Sequence, residues 1–200
     1  MSWIRGRIAA SIWLVSLIAG STAALPCGFE DPKSAAVARG TLNWAFPNAL
    51  YVTTAVWEAQ SVGVLAREEM PSAMKALVGY QKAAERLATL GDRLSSVRDG
   101  SEAPGISMVL IGPMLWARFE PTGAGRNVTV HVDGPRKGDV VVVTDEPVIA
   151  ALTEGRITTR AARALGLLRL YGSAQAVEQV SGWFDRLPGQ SSAKAATVGN

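Results

Sequence analysis

Between Ile106 and Thr144 the chain is cut into strand-length pieces by turn residues, and this block most restricts the folds open to it. "ISMVLI" runs into Gly112-Pro113, "MLWARFEP" into "TGAGRN", "VTVHV" into "DGPRKGD", and "VVVVT" closes the block before Asp145. Glycine and proline at such intervals interrupt helices and build turns. In the second piece Leu115, Ala117 and Phe119 alternate with Trp116, Arg118 and Glu120, the period of a half-buried strand. Three or four antiparallel strands joined by short turns are the simplest arrangement.

Helical periodicity flanks this block. "PSAMKALVGYQKAAERLATLGDRLSSVRDG" puts Met74, Leu77, Ala84, Leu87 and Leu94 on one side, and Gly91 is either an early stop or tolerated inside. Upstream, Asp31 and Pro32 are start signals for a helix that Gly40 can interrupt. The next segment, 47–66, spaces Ala49, Val52, Val56, Gln60 and Val64 at helical intervals. Downstream, Asp145 caps "EPVIAALTE", which Gly155 ends, and Thr158 caps "TRAARAL", which Gly166 ends. "LLRLY" is strand-like, with Leu168 and Leu170 on one face and Arg169 on the other. "SAQAVEQVSGWFDRL" is amphipathic, with Val177, Val180, Trp183, Phe184 and Leu187 on one face. Helical segments thus flank the strand block on both sides.

The ends carry different information. "MSWIRGR" followed by "IAASIWLVSLIAG" and "STAA" has the order of a cleaved secretory signal peptide over 1–24, so the mature protein is expected in the periplasm or secreted. The apolar run is short of the roughly 20 residues a membrane span needs, an uncleaved anchor being the alternative. Residues 25–70 form an N-terminal helical segment, 71–188 the α+β domain, and 189–200 a tail too polar to pack. Cys27 is the single cysteine, which excludes an internal disulfide framework and leaves it free, paired with another molecule, or, against the poor fit of Pro26, lipidated.

Charge and chemistry narrow the functions. The chain holds 20 basic and 17 acidic residues, and loss of Arg5 and Arg7 with the leader reduces the net from +3 to +1. A nucleic-acid binder concentrates basic residues on one face, so no nucleic-acid partner is expected. One histidine excludes a multi-histidine metal site, and no metal or cofactor is expected. There is no G-x-S-x-G, phosphate-binding loop, HExxH or C-x-x-C pattern, and His131 in "VTVHV" reads as a solvated strand residue opposite the valines. No catalytic residues are assigned, and the chain is read as a non-enzyme. Arg156, Arg160 and Arg163 fall at spacings of four and three, on one helical face. Such a cluster is first a solvated face; beside Leu165, Leu167 and Leu168 it also suits a carboxylate or phosphate headgroup.

The segment Val140 to Leu187 resembles the C-terminal half of the sterol carrier protein 2 (SCP2-like) domain family. It shows a strand ending in Thr-Asp, a short helix before Gly155, then Ala162, Gly166 and Gly172 at offsets of 7, 11 and 17, then the amphipathic helix. Ser173 stands where the family commonly has Asp. The resemblance implies an α+β fold, an antiparallel sheet covered by helices, with an apolar tunnel between sheet and C-terminal helix that binds lipids, sterols or acyl chains without covalent chemistry. By position, Leu168, Leu170, Val177, Val180, Trp183 and Phe184 would line it, with Leu115 and Phe119 from the sheet. The expected partner is a lipid or other apolar small molecule, with transient membrane contact. The rival expectation is a periplasmic accessory or scaffold protein with a filled core, meeting a protein partner through residues 25–70 and Trp44, Tyr51 and Trp57.

Overall fold

A computed structural model describes residues 27, 31–67, 77–97, 103–123 and 125–187. The expected signal peptide, the tail 189–200 and the boundary at 70/71 lie outside the described residues. Among the described residues two helices come first, α1 (Pro32–Ala45) and α2 (Tyr51–Ser61), and then α3 (Leu77–Ser96). Strands β1 (Ile106–Leu110), β2 (Leu115–Pro121), β3 (Arg126–Val130) and β4 (Val140–Thr144) follow. The chain then forms α4 (Glu146–Thr153), α5 (Thr159–Ala164), β5 (Arg169–Tyr171) and α6 (Ala174–Asp185).

The start signals act as the sequence indicates. Asp31 accepts from the backbone N–H groups of Lys33 and Ser34, and Pro32 opens α1 without leaving a donor unpaired. Gly40 does not break α1, which runs through it. Helix α2 stops at Ser61, ahead of Gly63 at φ +77°, so Val64 is exposed and Leu65 takes the buried place instead. Gly91 lies inside α3, and its lack of a side chain lets the helix approach Val128 of β3.

The five strands form one sheet in the order β3-β2-β1-β4-β5. It is mixed, not purely antiparallel: β1 pairs antiparallel with β2, β2 with β3 and β4 with β5, but β1 and β4 run parallel, Met108 facing Val142. The expected meander fails at β4, which crosses to the far side of β1 instead of returning beside β3. Burial supplies the reason. Every residue of β1 and of β4 is buried, as the centre of a sheet covered on both faces requires.

Register sorts the side chains into two faces. Ile106, Met108, Leu115, Ala117, Phe119 and Val142 share one, which α3 and α6 cover; Val177 of α6 packs over Gly172 and Val140. Val109, Trp116, Val143 and Tyr171 lie on the other. The N-terminal segment closes this second face: the Phe46 ring lies 6.3 Å from that of Trp116 and 5.3 Å from that of Tyr171. Tyr171 donates its hydroxyl to Pro47 O at 2.8 Å, and Arg39 donates to Gly112 O at 2.6 Å.

His131 departs from the sequence expectation. It sits just past β3 at φ +65°, exposed, its ring 6.2 Å from that of Tyr80. The backbone N–H groups of His131 and Val132 both donate to Trp116 O, at 2.8 and 3.2 Å. Two residues meeting one carbonyl turn the chain out of the ladder, which ends the alternation before His131 can join a face.

Candidate functional site

The glycine-marked stretch after α4 builds a cleft beside β5. Gly155 and Gly166 adopt φ +71° and +73°, conformations that glycine reaches without a Cβ penalty, and they stop the chain after α4 and α5. Thr158 caps α5 by accepting from the Ala161 N–H, and Ser173 caps α6 by accepting from that of Ala176. Two buried hydroxyls tie these pieces to the sheet and to each other: Thr144 donates to Leu167 O at 3.0 Å, and Thr159 to Phe184 O at 2.9 Å.

The resulting cleft has a volume of about 560 Å³. Arg160, Arg163 and Ala164 of α5 border it, as do Gly166, the run Leu168–Tyr171, and Asp185 at the end of α6. Three guanidiniums thus face one carboxylate. Arg163 donates to Ser181 Oγ. The Nε of Arg169 is buried and has no hydrogen-bond partner. Its terminal nitrogen lies 3.9 Å from where a Cβ on Gly166 would stand. Burial pushes the Tyr171 phenol above its usual range, and the positive charge of Arg169 opposes that rise.

The expected trio of arginines is reassigned by where α5 begins. Arg156 precedes the helix and pairs with Glu154 at 2.5 Å, outside the cleft. Arg169, from β5, joins Arg160 and Arg163 instead. The alternation of "LLRLY" had set Arg169 against the leucines. But β5 is three residues long at the sheet edge, so side chains from both of its faces border the same cleft. Tyr171 and Asp185 were likewise not singled out; Asp185 ends a helix whose apolar stripe drew the attention.

Of the eight residues expected to line a tunnel, Leu168 and Leu170 border the cleft. Leu115, Phe119, Val180, Trp183 and Phe184 are buried in the core, and Val177 is half-buried against it. Beneath α6 the guanidinium of Arg126 lies over the Trp183 ring, its carbon 4.3 Å from the ring centre.

A second polar group lies on the opposite sheet face. Ser107 donates to Asp139 Oδ2 at 2.5 Å, Arg118 pairs with the same oxygen at 3.2 Å, and the Arg136 N–H donates to Ser107 Oγ at 3.3 Å. These contacts tie the 131–139 loop to β1 and β2. Among the described residues no cluster of three or more metal-ligating side chains occurs, and no helix is long and apolar enough to cross a membrane.

Fold and site together define an α+β domain with a mixed five-stranded sheet, helices on both faces and a basic, leucine-walled cleft at one edge. No family model and no curated protein matches the chain. Solved structures are similar to it over about half its length. The UbiJ-SCP2 ubiquinone synthesis protein is 16% identical, with 54% of this chain and 96% of that one covered at a TM-score of 0.38. Sterol carrier protein 2 is 17% identical, with 54% and 95% covered at 0.35. The stereoselective inverting sec-alkylsulfatase Pisa1 from Pseudomonas sp. is 18% identical, with 57% of this chain but 17% of that one covered at 0.38.

Proposed function

We propose that this protein is exported and binds an apolar or amphipathic small molecule, carrying it without covalent chemistry in the manner of the SCP2-like family. The observation that carries this reading is that Leu168 and Leu170 wall a cleft of about 560 Å³ while packing on the domain core. Small-molecule sites typically occupy roughly 300–1,000 Å³. The glycine pattern supports it, because Gly166 borders that cleft and, with Gly155, ends the helices leading to it. Export rests on the leader-like first 24 residues, and the non-catalytic role on the sparse set of catalytic residue types in the sequence.

Native mass spectrometry of protein purified from its own host, followed by lipid extraction, tests the proposal. A co-purified apolar molecule is expected, together with uptake of a fluorescent fatty acid. Protein that carries none and takes up none overturns it.

A second reading, an accessory protein with a filled core, draws on two observations. Arg126 occupies the space beneath Trp183. On α1 and α2, Trp44 is 90% exposed and Trp57 62%, and from Gly40 to Ala66 the only charged residue is Glu58. Replacing both exposed tryptophans with serine should then abolish capture of a protein partner while leaving the fold intact; unchanged capture sinks this version.

A further inference from the structure

The cleft beside β5 holds more positive charge than the fold uses. Among the described residues Arg160 is exposed and pairs with no acid, and Arg169 keeps a buried Nε without a hydrogen-bond partner. A buried donor left unpaired costs free energy comparable to a lost hydrogen bond, and the cost is larger for a charged group. Ordinary solvated arginines do not bear that cost. Arg163 is braced by Ser181 and Arg169 rests over Gly166, so two of the three guanidiniums are positioned by the protein itself. Opposing them is the single carboxylate of Asp185. Leu168 and Leu170 stand on the same wall.

We infer that this cleft is an oxyanion site: Arg160 and Arg169, with Arg163 beside them, hold the phosphate or carboxylate headgroup of an amphipathic ligand whose apolar part lies on Leu168 and Leu170. Guanidiniums suit this because their planar forks bond two oxygens at once, which a lysine cannot do. The inference rests on the carrier reading for the apolar part, but the anion site itself does not need it.

Calorimetric titration of the full mature chain tests both, using dodecyl phosphate, dodecanoate, dodecanol and inorganic phosphate below their aggregation thresholds. The two anionic amphiphiles should bind at least about tenfold more tightly than dodecanol, the loss expected for one charged hydrogen bond. Arg169→Gln should erase that preference. Arg160→Gln, a change at an exposed position with no fold at stake, should reduce it, and Arg169→Lys should restore only part. Equal binding of dodecanol and the anionic pair, or a preference untouched by both glutamine variants, overturns the oxyanion site and leaves the apolar carrier standing. Inorganic phosphate binding as tightly as dodecyl phosphate, with the same arginine dependence, upholds the oxyanion site for a free anion and overturns the carrier reading. No binding by any of the four overturns both.

Discussion

Arg126 on the outer strand β3 and Trp183 on the last helix meet beneath α6, guanidinium over indole, with 4.3 Å between the Arg126 carbon and the ring centre. The backbone of Arg126 is held by Ser95 Oγ at 2.9 Å, and its side chain donates to Pro104 O at 3.3 Å. A desolvated cation on tryptophan contributes up to about 2 kcal/mol, and truncation also leaves a void. Arg126→Ala should therefore lower stability by about 1–3 kcal/mol, read as a fall in the urea midpoint with an unchanged slope.

Gly91 yields a prediction of unusual sign. Alanine inside a helix ordinarily gains roughly 1 kcal/mol over glycine. Here a Cβ would come within 2.2 Å of Val128 Cγ2, a stiff branched side chain on β3. Gly91→Ala should destabilise by about 1–3 kcal/mol, as overpacking does. Thermal unfolding of the variant would show it, and a raised midpoint would contradict the packing described.

Asp145 gives the pH dependence. Burial raises its carboxyl above the usual 3.8, against the lowering effect of the Glu146 and Gly112 N–H groups and the Arg39 charge. The folded state therefore holds a proton that the unfolded chain releases near 3.8, so this group's stability contribution is complete below that pH and is lost as pH rises through its folded value. Asp145→Asn keeps a capping acceptor but cannot ionise. The variant's stability relative to the native protein should climb from acid toward neutral pH in a series of denaturant titrations. A flat or falling difference would refute the assignment.

Phe46 fastens the N-terminal segment to the sheet together with the Tyr171–Pro47 and Arg39–Gly112 hydrogen bonds. Because it is half-buried, Phe46→Ala should cost about 2 kcal/mol, less than the roughly 3–5 kcal/mol typical of a fully buried phenylalanine. Hydrogen exchange localises the effect: amides of α1 and α2 should exchange faster, while those of β1 and β2 keep their protection.

What could be read in the sequence was what local chemistry decides. Asp31, Asp145 and Thr158 each cap a helix because a short side-chain oxygen meets unpaired N–H groups wherever a helix starts. Gly155 and Gly166 end segments because few other residues adopt their φ. The choice of partner for β4 is a non-local matter. Its four valines marked a strand, yet nothing nearby says that it is buried on both faces with β1 as its neighbour. The cleft shows the same division. Leu168 and Leu170 opposite Arg169 were legible from alternation, whereas their meeting in one cleft was not, because alternation does not say that the strand is a sheet edge.

The double cover of the sheet has a bearing on how the molecule comes to be assembled. Phe46 rests on Trp116 and Tyr171, and the Pro47 carbonyl receives the Tyr171 hydroxyl, so the surface that α1 and α2 occupy is complete only once β5 has been laid down. Helices α1 and α2 are therefore fastened across a sequence separation of 124 residues, the kind of non-local contact whose loop-closure entropy slows folding.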